Sequence, residues 1–118
     1  MNQNNPQTTL YHLNQLGCIQ LSGPDTVKFL QGQITINAEE IKDNQLHIGA
    51  ICNPQGRCVA LFWATKIEES IFLILLKETI EATITHLNRY AVFFKTALNN
   101  VSDDYQIYGL VQSGSNLD

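Results

Sequence analysis

Apolar and polar positions fall into short blocks along the chain, some with the period of a strand and some with that of a helix. Leu16 to Leu21, "LGCIQL", is a short apolar run ending at Ser22-Gly23, which predicts a strand entering a turn. Pro24 suits a first helical position, where its missing N–H costs nothing, and Asp25 complements the positive helix end. Val27, Leu30 and Ile34 follow at helical spacing, with Phe29 at the edge of the stripe, until Gly32 loosens or ends the helix. After the polar "AEEIKDNQ", "LHIGAIC" predicts a strand, "NPQG" a turn and "RCVALFWATKI" the returning strand of a hairpin. A second turn, "EES", leads into "IFLILLK", whose nearly continuous apolar character predicts a central strand covered on at least one face. Thr79 is the expected cap of a second helix, with Ile80, Ile84, Leu87 and Ala91 as its stripe. The chain then turns at "FFK" and offers "TALNNVS" and "YQIYGLV" as further strands.

This order, strand, helix, two or three strands, helix, one or two strands, predicts an α+β fold. The expected form is a ferredoxin-like plait, a mostly antiparallel sheet with two helices on one face. The polar start and finish predict a flexible arm over 1–12, one domain over 13–111 and a polar tail or interdomain linker over 112–118. At 118 residues, one domain with a single core is the economical reading.

Composition narrows the chemistry. Seven basic against eleven acidic side chains give a net charge of −4, a poor endowment for gripping phosphate backbones, so direct nucleic-acid binding is not expected. The run "IFLILL" is far shorter than the roughly 20 residues that span a bilayer, so no membrane partner is expected either. Cys18, Cys52 and Cys58 are odd in number and form no Cys-x-x-Cys pair, which favours free thiols, a reducing compartment and a cytoplasmic location. His12, His47 and His86 are scattered without metal-ligand spacing, and no nucleophile elbow or phosphate loop is present, so no catalytic or metal-binding residue is proposed. Binding is the more promising chemistry. Gln31, Gln33 and Asn37 cluster where the first helix ends, and carboxamides present donor and acceptor in one plane, as the edge of a heterocycle does. Trp63 and Tyr90 can supply aromatic faces, and Arg57 in the hairpin or Arg89 beside Tyr90 can hold a carboxylate at the far end of such a ligand.

Three stretches carry a resemblance to a known family. "LSGPDTVKFLQGQIT", "GAICNPQGRCVALFWATK" and "LNRYAVFFKTAL" resemble, in order, the N-terminal part of the YgfZ family, folate-binding relatives of the glycine cleavage system T protein. The matching elements are Gln31-Gly32-Gln33-Ile34-Thr35, the hairpin from Cys52 to Gly56, and Arg89-Tyr90 to Lys95. The resemblance implies tetrahydrofolate as cofactor and support of iron–sulfur enzymes, including some that modify tRNA. It also implies that the remaining domains of a longer parent protein share the folate site. The family's T-protein cousins transfer an aminomethyl group with an Asp whose aligned place is Ala60 or Leu61, and a Trp in the folate site of some members falls at Leu16. Neither Ala60 nor Leu61 can act as a carboxylate. An aminomethyltransferase-type enzyme and a protein-interaction domain without a small ligand are the alternatives.

Overall fold

Each strand of the main sheet alternates between a face that helices cover and a face they do not. The computed structural model describes residues 7–113, with side chains described from 10 to 110. In chain order the elements are β1 (Gln7–His12), β2 (Leu16–Ser22), α1 (Thr26–Gln31), β3 (His47–Cys52), β4 (Cys58–Ile67), β5 (Ser70–Leu76), α2 (Lys77–Ala91), β6 (Ala97–Asn100) and β7 (Tyr108–Ser113). Five strands form one sheet in the order β3-β4-β5-β2-β6, and every neighbouring pair is antiparallel. The architecture is the α+β arrangement that the pattern predicts.

Register decides which residues face the helices. Ile19 lies opposite Leu73, Leu21 opposite Ile71, and Ala64 opposite Leu73, so these side chains share one face. They join Phe29 and Leu30 of α1 and Ile80 and Leu87 of α2 in a single buried cluster. Burying each large side chain of this kind contributes about 1.5–3 kcal/mol, which makes the cluster the principal source of stability. Phe62 belongs to it and lies across Gly49, where an added Cβ would come 2.7 Å from the ring. Gly23, at φ 133°, makes the turn into α1, with the Lys95 carbonyl packed against it. The carboxylate of Asp25 fastens the same corner by accepting from the Lys95 N–H at 2.9 Å.

Three local features depart from the sequence pattern. The second helix starts at Lys77 rather than after Thr79, and the Thr79 hydroxyl donates to the Leu76 carbonyl at 2.7 Å instead of capping the following N–H groups. Residues 7–12, expected in a loose arm, form β1 and pair antiparallel with β7 in a separate two-stranded ribbon. A ladder between opposite ends of the chain satisfies their backbone groups, which no short window of sequence reveals. The expected strand "YQIYGLV" begins only at Tyr108: the short 3-10 turn Ser102–Asp104 comes before it, and residues 105–107 lead from one to the other. The remainder of the expected arm (1–6) and of the expected tail (114–118) lies outside the described residues.

On the opposite face of the sheet, Cys18, Phe72 and Val101 form a second buried cluster, with Tyr105 edge-on to Phe72 at 5.3 Å. The rest of that face is open. Ile48 and Leu61 are each 69% exposed there, and Leu76 is 46% exposed.

Candidate functional site

The amides after α1 are engaged in building the loop that carries them. Gln31 Oε1 accepts from the Ala38 N–H at 2.7 Å, and Asn37 Oδ1 caps a short 3-10 turn by accepting from the Glu39 N–H at 3.0 Å. Thr35 ties the loop to the edge of β3: its N–H donates to the Ala50 carbonyl and its hydroxyl accepts from the Ala50 N–H, each at 3.0 Å. Short polar side chains compete well for loop N–H groups, which accounts for their density here. Gln33 differs. It is half-buried and shares a concavity of about 280 Å³ with Gly32, Cys52, Asn53, Pro54, His86 and Tyr90. His86 and Tyr90 meet edge-on at 5.5 Å, and His86 Nε2 is buried with no hydrogen-bond partner among the described residues.

The hairpin between β3 and β4 forms the next boundary. Asn53 Oδ1 accepts from the N–H groups of both Gln55 and Arg57, at 3.0 and 2.9 Å, while the Asn53 carbonyl accepts from the Gly56 N–H at 2.8 Å. Arg57 is thereby held at the exposed end of the hairpin, one residue before Cys58. Asn53→Ala leaves two turn N–H groups without this acceptor and is expected to lower stability by about 1 kcal/mol, read from the midpoint of urea unfolding.

Beyond the hairpin lies the larger and more apolar concavity, about 630 Å³. Leu13, Gln15, Leu16, Leu76 and Thr79 line one side of it, and Ile48, Cys58, Val59, Ala60, Leu61 and Trp63 the other. The sheet register explains why these residues converge. Ile48 lies opposite Trp63, Trp63 opposite Ile74, and Leu16 opposite Leu76, so the open face carries adjoining apolar rungs. Trp63 is 39% exposed and offers part of its ring to this groove. Slots of this kind, mostly apolar with few polar groups, suit flat organic ligands. Among the described residues its lining contains no carboxylate, and Ala60 and Leu61 are among the residues that line it.

The candidate residues therefore divide between two concavities. Gln33 and Tyr90 line the polar one, Trp63 lines the apolar one, and Arg57 stands at the hairpin end near Cys58. Gln31 and Asn37 have their side-chain oxygens turned to loop backbone. Ile48 and Leu76 are not legible as site residues, because an apolar residue on an open sheet face has the same spacing as one in a core, and Leu13 and Gln15 join them from the turn before β2. Among the described residues, no group of three or more His, Cys, Asp or Glu side chains could hold a metal ion, and no helix is long and apolar enough to cross a membrane.

Comparison with known proteins adds the lineage. Residues 3–112 match the family described as the GCVT N-terminal domain. Among curated proteins, the tRNA-modifying protein YgfZ of Photorhabdus laumondii is 36% identical over 90 residues, which are 76% of this chain and 27% of that protein. The tRNA-modifying protein YgfZ of Colwellia psychrerythraea is 31% identical over 94 residues, which are 80% of this chain and 29% of that protein. The chain thus spans less than a third of the length of these relatives. Among solved structures, the glycine cleavage system aminomethyltransferase T of Bartonella henselae superposes with a TM-score of 0.72 at 17% identity, over 91% of this chain and 29% of that one. That likeness shows a shared fold. Curated relatives at 31–36% identity include proteins named tRNA-modifying protein YgfZ, and with the family match running across nearly its whole length, the chain belongs to the GCVT N-terminal domain family.

Proposed function

We propose that the apolar groove receives the flat ring system of tetrahydrofolate, and that this chain is the folate-binding module of a YgfZ-like accessory protein. The protein acts in the cytoplasm in support of iron–sulfur enzymes, including those that modify tRNA. One observation carries the reading. Leu16 and the Ala60–Leu61 pair, the positions that the family resemblance ties to folate and its chemistry, line the same groove as Trp63. In this reading Trp63 is the wall against which the ring packs, and Arg57 at the hairpin end takes the carboxylates of the glutamate tail. Gln33 and Tyr90 serve the neighbouring polar concavity, and Gln31 and Asn37 hold the loop that shapes it. With Ala60 and Leu61 in the groove, the ligand is held without an ionised side chain to drive aminomethyl transfer.

The exposed apolar rungs at Ile48, Leu61 and Leu76 give this reading a second part. In the relatives the matched stretch is less than a third of the length, and a further domain in such a longer protein would close the groove from its open side. Calorimetric titration of tetrahydrofolate into this chain, and into the longer product wherever the gene continues past Asp118, tests the assignment. Saturable binding is expected in both, tighter in the longer protein. Absence of saturable binding in both would remove folate from the account and leave a protein-interaction domain.

A further inference from the structure

Cys52 and Cys58 are register partners across the β3–β4 hairpin, and both are free and exposed. One step toward the turn, the Asn53 N–H donates to the Arg57 carbonyl at 2.8 Å. Ladder alternation then makes Cys52 and Cys58 a non-hydrogen-bonded pair, the class in which Cα atoms approach to about 4.5 Å. Disulfides accept Cα separations of about 4.4–6.8 Å. Cys52 borders the polar concavity with His86 and Tyr90, and Cys58 borders the apolar groove, so the pair stands at the hairpin where the two concavities meet. The register shift between Ile51 and Cys52 leaves Val59 as one extra residue of β4 between the Ile51–Ala60 and Cys52–Cys58 pairs, so the cysteines remain direct partners. Cys58 also lines the groove.

We propose that Cys52 and Cys58 form a reversible dithiol–disulfide couple at the rim of the apolar groove, closed by exchange with a small-molecule disulfide such as oxidised glutathione. The thiolate of one cysteine attacks the small disulfide, forming a mixed disulfide and expelling one small thiolate. The second cysteine's thiolate then attacks the protein sulfur of that mixed disulfide and expels the other. Two protein thiols and one small disulfide become one protein disulfide and two small thiols, which take up the two protons. Cys18 stays out of the exchange. It is buried in the second cluster, and burial first, then the nearby Asp104 carboxylate, push its thiol pKa up and disfavour the thiolate. The couple stands independently of the ligand in the groove.

The test uses the whole chain without folate. After incubation with excess oxidised glutathione, remaining thiols are alkylated and the protein is analysed by intact mass and peptide mapping. The expected product has lost two hydrogens, protects two of its three cysteines, yields a single peptide crosslinked between Cys52 and Cys58, and reverts with dithiothreitol. In Cys58→Ser, Cys52 should instead retain one glutathione and form no internal bond. Glutathione adducts alone on the unsubstituted chain, disulfide-linked dimers, or a crosslink to Cys18 would each overturn the proposal.

Discussion

Trp63→Ala is expected to weaken tetrahydrofolate binding by about ten- to a hundred-fold, since removing an aromatic platform under a flat heterocycle typically costs about 1–3 kcal/mol. The ring is 39% exposed on the open side of β4, so its removal takes away ligand contact more than core. Its cross-strand neighbours Ile48 and Ile74 remain to hold the strand pairing. The folded fraction should therefore stay high by circular dichroism while the calorimetric affinity falls. Trp63→Phe should recover part of the loss, because a smaller aromatic face still presents a π surface. Equal affinity in the alanine variant would mean that the ligand, if bound, lies elsewhere.

Phe62→Ala is expected to have the largest effect on the fold, about 3–5 kcal/mol of lost stability. The side chain is 2% exposed and packs across Gly49 within the main cluster. Its neighbours sit on paired strands and cannot collapse inward without breaking register. A domain of this size has about 5–15 kcal/mol in total, so the variant should unfold at a far lower urea concentration than its parent, without a change in the slope of the transition. Both residues border the groove, but Phe62 is buried in the main cluster while Trp63 is 39% exposed, so the two adjacent substitutions are expected to separate loss of fold from loss of ligand contact.

Much of this architecture is written locally. The turn "CNPQG" between two apolar runs gives the β3–β4 hairpin, and the stripe through Ile80, Ile84, Leu87 and Ala91 gives α2. "IFLILL" is apolar at every position because β5 faces α1 and α2 on one side and the smaller cluster on the other. The β1–β7 ribbon is not legible this way, because each strand finds its partner only at the other end of the chain. The beginning of α2 is set by tertiary context: the Lys77 N–H donates to the Gln15 carbonyl, two residues before the threonine that looks like a cap.

The candidate site divides along similar lines. Amides and aromatics attract notice for their chemistry, yet Gln31 and Asn37 meet loop N–H groups that only the folded backbone brings near. The groove is built from ordinary apolar residues such as Leu16, Ile48, Leu61 and Leu76, whose types give no hint that the sheet leaves them uncovered. What marks them is that no helix among the described residues lies over that part of the sheet, a property of topology. Leu16 and Ala60 or Leu61, which the family resemblance implies as the aligned places of a tryptophan and an acid, also lie along this groove.

Whether neutral, mostly apolar walls on the uncovered sheet face hold the ligand can be read residue by residue in an NMR titration of isotope-labelled protein with tetrahydrofolate. Saturable shifts at the methyl groups of Leu16, Ile48, Leu61 and Leu76 and at the Trp63 indole are the predicted result. Saturable shifts confined to Gln33, His86 and Tyr90, or no saturable shifts at all, would contradict it.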